Sequence, residues 1–109
     1  MVVRLVKMTF RPGEVQKFQE LFGDWRHEIL GSRGCLRLEL LHDRHDPRIF
    51  FTHSYWATEE DLEAYRRSEV FARVWPETKA LFAERAEAWS LHLEPSMNDG
   101  RIVQSSARP

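Results

Sequence analysis

The eight-residue segment IFFTHSYW, which starts at Ile49, limits the possible folds of this 109-residue chain more than any other segment. Alternate side chains of an extended strand point to opposite faces of its sheet. Ile49, Phe51 and Tyr55 would then lie on one face. Phe50 and Trp56 would lie on the other. A sheet with large apolar side chains on both faces needs a cover on both sides.

Apolar periodicity predicts the other elements. Strand-like segments occur at 2–10, 35–42, 49–56 and 88–93, and an amphipathic helix at 14–30. A second helical region follows the third strand. The order β-α-β-β-α-β is the split βαβ arrangement, so the sequence predicts a ferredoxin-like α+β fold with a four-stranded antiparallel sheet.

The second helical region contains two start signals. The run Thr58–Asp61 has the form of a capping box, in which the threonine side chain caps the first turn. Ser68 is a second candidate cap, for a helix that carries Phe71. Proline removes a backbone donor, so we expect Pro76 to kink or restart this helix.

The chain supplies one cover for two apolar faces. Both helical regions of this fold lie on the same side of the sheet, and residues 95–109 are too polar to cover the other side. We therefore divide the chain into a domain at 1–94 and a loose tail at 95–109, in which only Ile102 and Val103 could dock. Each large side chain left exposed would forfeit roughly 1.5–3 kcal/mol of burial. We predict a homodimer, because two-fold pairing is the commonest symmetry.

Composition argues against several classes of partner. A formal charge of −1 gives no reason to expect binding to nucleic acid or to an anionic membrane. Arg4 and Lys7 interrupt the apolar start, so it is neither a signal peptide nor a membrane span. Cys35 is the single cysteine, which fits a reducing compartment. We expect a cytoplasmic protein.

Aromatic residues are the first candidates for a binding site. The four Trp, seven Phe and two Tyr can fill a core, and they can also stack on a flat ligand. Core packing explains most of them. The predicted substrate-binding residues are Trp25, Trp56, Phe71, Trp75 and Arg37.

Two residues are candidates for catalysis. His53 lies in the middle of the apolar third strand, and imidazole exchanges protons near neutral pH. It is either a buried structural histidine or a proton acceptor. Tyr65 could donate a hydrogen bond to a ligand oxygen. Arg37 and Glu39 share one face of the second strand, and we expect them to form a buried pair between two sheets, with polarisation of a substrate as a second possibility.

No metal site is predicted. His42, Asp43, His45 and Asp46 lie in one turn, but a metal needs three or four converging ligands, and polar turns are usually only hydrated. Cys35 has no adjacent histidine or second cysteine to activate it, so we expect an inert thiol.

Four short motifs resemble one known family. They are Arg11–Glu14 opening the first helix, Gly34–Leu36 opening the second strand, Ser54–Leu62 at the end of the third strand, and Ser68–Phe71 after the short helix. In this order and spacing, over about residues 2–94, they resemble the antibiotic biosynthesis monooxygenase domain of the dimeric α+β barrel superfamily.

The resemblance implies a homodimer whose sheets meet face to face, with a pocket in each subunit between sheet and helices. In oxygenase members that pocket holds a polycyclic phenol or quinol, and the ionised substrate itself passes an electron to dioxygen. No metal or flavin is required. The implied function is a cofactor-independent monooxygenase acting on a small phenolic or quinol-type substrate. The alternatives are a non-catalytic module that binds a hydrophobic metabolite and an isomerase of a small metabolite.

The haem-degrading branch of the family has a different residue pattern. It has asparagine late in the first strand, tryptophan in the short helix and a ligating histidine after the Ser68–Phe71 segment. Val6, Tyr65 and Trp75 stand at those positions here, and Trp75 cannot ligate iron. Haem degradation is not expected.

Overall fold

The computed structural model describes residues 1–94 and Met97, with the element order β-α-β-β-α-α-β. The elements are β1 (Val2–Thr9), α1 (Val15–Leu30), β2 (Cys35–His42), β3 (Ile49–Trp56), α2 (Glu59–Arg66), α3 (Glu69–Lys79) and β4 (Glu87–Leu91). The last strand ends two residues before the predicted end at Leu93, and β1 and α1 each differ by one residue at one end. The predictions for Ile102 and Val103, and for the tail apart from Met97, lie outside the described residues.

The four strands form one antiparallel sheet in the order β2-β3-β1-β4. The α+β class and the four-stranded antiparallel sheet are therefore confirmed. The sheet of one chain is not closed, because β2 and β4 are its two edges. A barrel would need strands from a second chain.

The two faces of the sheet follow from the register. We call the side under the helices the covered face and the opposite side the open face. On the covered face, Val2 pairs with Trp56 and Met8 pairs with Phe50, and all four are buried. Phe18 of α1 packs on Met8 and Phe50. Leu62 of α2 packs on Val2 and Trp56, so the helices bury this face from both ends.

The caps of α2 and α3 form as predicted. Thr58 Oγ1 accepts a hydrogen bond from the Asp61 N–H at 3.0 Å, and Ser68 Oγ accepts one from the Phe71 N–H at 3.2 Å. Ser68 Oγ also donates to the Tyr65 carbonyl oxygen at 2.6 Å. One serine thus ends α2 and begins α3, which fixes the angle between the two helices.

Of the two predictions for Pro76, a kink or a restart of the helix, the restart is wrong, because α3 continues through the proline to Lys79. Val74 and Thr78 are both buried, and their packing holds the helix on either side of the proline. The missing N–H removes one backbone bond near the end of the helix, where the loss disturbs least.

No described element covers the open face. Trp89 and Leu91 of β4 pair with Leu5 and Val3 of β1, and they are 41% and 46% exposed. Leu41 of β2 is 45% exposed on the same face. Within the described residues, no helix is long and apolar enough to cross a membrane.

Candidate active site

A cavity of about 340 Å³ lies between the covered face and the three helices. Its volume falls at the lower end of the range for small-molecule sites. Phe18 and Phe22 of α1 line one side, and residues of α2 and α3 line the other. Arg66 and Ala88 belong to the lining and are exposed, so the cavity meets solvent there.

The floor of the cavity changes in polarity along β1. Arg4, Val6 and Met8 occupy successive positions on the covered face, and all three line the cavity. Arg4 pairs with Ser54 of β3, whereas Met8 pairs with Phe50. Alternate residues of a strand are separated by roughly 7 Å, so the floor passes from charged to apolar over about 13 Å.

Four aromatic rings form a continuous wall. Tyr65 stacks on Trp56 with ring centroids 5.1 Å apart, and it meets Phe71 edge-on at 5.3 Å. Phe71 in turn stacks on Trp75 at 5.7 Å and 13° between planes. All four residues line the cavity. Such a wall presents flat apolar surfaces to a planar ligand.

The Tyr65 hydroxyl is suited to donate a hydrogen bond. Burial raises the pKa of Tyr65 to about 12, so the hydroxyl stays protonated near neutral pH. Among the described residues, none forms a hydrogen bond with this hydroxyl, and it is not among the buried polar atoms that lack a partner. It is therefore available to a ligand oxygen, as a donor and not as a base.

Two arginines line the cavity. Arg4 Nη1 donates to Ser90 Oγ at 2.9 Å, and Arg66 Nη1 lies 3.2 Å from a carboxylate oxygen of Glu63. Burial lowers the pKa of Arg4, and the nearby charge of Arg66 lowers it further, while Glu63 acts in the opposite direction. Neither arginine was predicted as a site residue from the sequence. The available signal was the alternation of β1, which places Arg4 on the same face as Val2 and Val6.

The predicted site residues divide between the two faces of the sheet. Trp56, Tyr65, Phe71 and Trp75 line the cavity. Trp25 of α1 is half-buried and is not part of the lining. Arg37 and His53 lie on the open face, since they pair with Tyr55 and Glu39 across β2 and β3.

The two predicted catalytic residues, His53 and Tyr65, lie on opposite sides of the sheet. Thr52, Ser54 and Trp56 line the cavity, so His53 between them points to the other side. Leu38 of β2 also lines the cavity, so its neighbour Arg37 points away from the cavity of its own subunit.

A charged cluster forms on the open face instead. Arg37 donates to one oxygen of Glu39 from Nε at 3.0 Å and from Nη2 at 2.6 Å. His53 Nδ1 lies 3.2 Å from the other oxygen of Glu39, and the His53 ring packs edge-on against Tyr55 at 5.0 Å. Hydrogen bonds from Arg37 lower the pKa of Glu39, and His53 acts in the same direction. The predicted Arg37–Glu39 pair thus forms, although in one chain it is partly exposed.

The polar side chains between β2 and β3 stabilise the turn itself. The Asp43 carboxylate accepts hydrogen bonds from the backbone N–H groups of His45 and Asp46, both at 2.9 Å. In the part of the chain that the structure describes, no group of three or more His, Cys, Asp or Glu side chains is placed to hold a metal ion. Burial raises the pKa of Cys35, which favours the unreactive thiol form.

Comparison with protein families gives a match over most of the chain. The family model described as antibiotic biosynthesis monooxygenase matches residues 1–77, which include β1 to most of α3. The matched segment ends before β4, earlier than the resemblance over residues 2–94 suggested. No curated protein sequence matches the chain.

Solved structures share the fold. A conserved protein from Methanosarcina mazei Go1 is 24% identical with a TM-score of 0.79, over 84% of this chain and 92% of that one. An antibiotic biosynthesis monooxygenase is 19% identical with a TM-score of 0.81, over 87% of this chain and 100% of that one. A variant of SnoaB, a cofactor-independent oxygenase from Streptomyces nogalater, is 16% identical with a TM-score of 0.77, over 85% and 92%. At these identities the likeness establishes the fold alone.

Proposed function

Because the chain belongs to the antibiotic biosynthesis monooxygenase family, we propose that each subunit of a homodimer oxidises a phenolic or quinol-type aromatic substrate in the cavity, without a bound cofactor. The observation that carries this proposal is the aromatic wall of Trp56, Tyr65, Phe71 and Trp75 around a space of about 340 Å³. The SnoaB likeness supports it by analogy, since that protein is a cofactor-independent oxygenase.

The cavity would place and polarise the substrate. The aromatic wall holds the ring system, and the Tyr65 hydroxyl donates a hydrogen bond to the substrate oxygen. A donor aimed at an oxygen that becomes negative stabilises the anion, and a dry surrounding strengthens the effect. Tyr65 would thus lower the cost of ionising the substrate.

The reaction balances with dioxygen as the only co-substrate. The ionised phenol gives one electron to dioxygen, and the resulting radical and superoxide combine at a ring carbon that carries hydrogen. The O–O bond then breaks and water leaves. One oxygen atom becomes a quinone carbonyl and the other becomes water, so a phenol and dioxygen yield a quinone and water. The substrate supplies all the electrons.

The open face supports the homodimer. Trp89, Leu91 and Leu41 expose large apolar surface there, and such patches are characteristic of interaction sites. Two copies that pack these faces together would bury the apolar residues and surround the Arg37–Glu39–His53 cluster. In this arrangement His53 belongs to the interface. The free cysteine Cys35 agrees with a reducing, cytoplasmic location.

A non-catalytic binding module is the second candidate, and the lining favours it in one respect. No His, Asp, Glu or Cys side chain lines the described cavity, so it contains no general base that titrates near neutral pH. A binder would need none. An oxygenase would need a substrate whose proton can pass to water as it ionises.

Oxygen uptake separates the two candidates. The purified protein is incubated with a panel of phenols and hydroquinones, and uptake is measured against buffer and heat-denatured protein. We expect enzyme-dependent uptake with at least one compound, and a roughly tenfold lower kcat/KM in Tyr65→Phe, the loss of one hydrogen bond to a charged group. Tyr55→Phe, on the open face, is the matched control and should keep its activity.

Thermal stabilisation by the same compounds without uptake would establish the binding module instead. Uptake that Tyr65→Phe does not change would remove the tyrosine from the proposed mechanism.

A further inference from the structure

We infer that the cavity selects an aromatic anion, with its negatively charged oxygen held between Arg4 and Arg66 and its ring system along the aromatic wall. This inference rests on the same cavity as the proposed function and specifies its substrate class. It depends on binding alone and requires no turnover.

The position of Arg4 carries the inference. On the covered face its neighbours along β1 are Val2 and Val6, and Val2 is only 2% exposed. Arg4 itself is partly buried, and a charged group that loses part of its hydration is stabilised by an opposite charge. Among the described residues, no carboxylate lies within 4.0 Å of its guanidinium nitrogens, and its one hydrogen bond goes to the neutral Ser90 hydroxyl.

A second positive charge lies at the same end of the cavity. Arg66 lines it from the end of α2, close enough for its charge to act on Arg4. Two guanidinium groups repel each other, and an anion between them removes that repulsion while gaining paired hydrogen bonds. Glu63 offsets part of this positive charge, through its ion pair with Arg66 and through its weaker effect on Arg4. The pair as a whole keeps an excess of positive charge.

The remaining lining fits the rest of such a ligand. From Arg4, the floor continues through Val6 to Met8, and Phe18 and Trp75 close the sides. The charged and apolar ends are about 13 Å apart along the strand. A ligand with one anionic end and a fused aromatic body matches both ends. A fully apolar ligand would leave the excess positive charge of the two arginines unbalanced.

The test compares ligands that differ only in charge. Binding of 2-naphthoate and its neutral amide is followed by quenching of tryptophan fluorescence at neutral pH. We expect 2-naphthoate to bind at least tenfold more tightly. Arg4→Gln and Arg66→Gln should each remove most of that difference, because they weaken binding of 2-naphthoate far more than binding of the amide. The matched control is Arg67→Gln, an exposed arginine that also lies near Glu63 but does not line the cavity.

Glu63→Gln provides a gain-of-binding test. It removes the carboxylate that competes for Arg66, so 2-naphthoate should bind severalfold more tightly. A destabilised protein would not bind more tightly, which separates this result from a folding defect.

The source of the negative oxygen is distinguished by a third ligand, 4-nitrophenol, which ionises near neutral pH. If its affinity rises as it ionises, the site accepts a phenolate, and if only 2-naphthoate shows the arginine-dependent gain, it requires a carboxylate. Either result supports an aromatic anion. Equal binding of naphthoate and amide, or loss of both in the arginine variants alike, would overturn the inference.

The outcomes for the anion and for oxygenation remain distinguishable. Arginine-dependent anion binding with no oxygen uptake would refute the proposed reaction and keep the anion site. Oxygen uptake from neutral hydroquinones at rates that Arg4→Gln and Arg66→Gln do not change would keep the reaction and refute the anion site.

Discussion

The two faces of the sheet are built from the same strands but offer different chemistry. On the covered face, β3 contributes Phe50 and Trp56, which are 5% and 1% exposed, and the cavity is bounded by aromatic rings. On the open face, the same strand contributes Phe51, His53 and Tyr55, which are all partly exposed. The covered face is packed by helices of the same chain, whereas the open face exposes apolar side chains that a second chain would bury.

Charged residues have a different role on each face of the sheet. On the open face, Arg37, Glu39 and His53 satisfy one another through short contacts. On the covered face, the hydrogen bond that Arg4 makes within the described residues goes to a neutral hydroxyl. A paired cluster is typical of an interface or a structural site, whereas a charge that lines a cavity without an ion-pair partner suits an anionic ligand.

The largest effect is expected from a substitution on the open face. Trp89→Asp places a carboxylate in the proposed interface, where a buried tryptophan typically contributes 2 kcal/mol or more, so we expect the dimer to dissociate at least about 30-fold more readily. Sedimentation at micromolar concentration measures it. Trp89 is 41% exposed in the single chain, so the subunit should keep its fold by circular dichroism.

The control for that change is Leu30→Asp. Leu30 ends α1 and is 40% exposed, nearly the same as Trp89, but it lies outside the sheet. It should leave the dimer intact. A wild-type chain that sediments only as a 13.0 kDa species would contradict the dimer altogether.

A smaller effect is expected on the covered face. Ala88→Phe directs a ring from β4 into the cavity and should weaken binding of 2-naphthoate at least tenfold by occupying its space. The free energy of unfolding should change by less than about 1.5 kcal/mol, since the ring enters an existing cavity and does not overpack the core. Fluorescence titration and urea unfolding measure the two quantities.

Ala72→Phe is the matched control for the cavity. The same substitution on an exposed position of α3 adds a ring outside the cavity and should leave the affinity unchanged. If Ala88→Phe binds 2-naphthoate as well as the wild type does, the ligand does not occupy this cavity.

The strands, the helices and their order along the chain were predictable because alternation and helical periodicity are visible within a single segment. The sequence also predicted the caps at Thr58 and Ser68, whose bonds are local. The site was predicted less well. His53 and Tyr65 were both predicted as catalytic residues, but the alternation of β3 puts His53 on the face opposite Trp56 and the cavity.

Other features of the site depend on distant parts of the chain. Arg4 and Arg66 come together only when α2 packs over β1, and no local pattern joins residues so far apart in sequence. Trp25 has the right periodicity for the inner side of α1, but the cavity is bounded instead by Phe18 and Phe22. Which residues border a space depends on how the elements pack, and single-segment periodicity does not contain that information.

The smallest expected effect concerns pH and the charged cluster on the open face. The pKa of Glu39 is lowered, chiefly by hydrogen bonds from Arg37. A carboxyl group with a lowered pKa stabilises the folded state above its ordinary value of 4.5 and loses that contribution as pH falls through the lowered value. In the Trp89→Asp monomer, acidification from neutral pH should therefore cost more stability with Glu39 than with Glu39→Gln. The Glu39 side chain is 35% exposed, so solvent screening limits the difference to under about 1 kcal/mol.

Urea unfolding of the monomer at neutral and acidic pH measures this term, and Arg37→Gln completes a double-mutant cycle. Arg37→Gln should remove most of the same pH dependence, and the double variant should add little to either single change. An acid response that is identical with and without Glu39 would show that the pair contributes nothing in the exposed state. If the loss of stability on acidification is larger in the wild-type dimer, the second sheet shields the Arg37–Glu39 pair from solvent. Removing one partner of a charge pair costs more stability when the pair is buried. The size of the pH dependence that is due to Glu39 therefore shows whether the open face is covered.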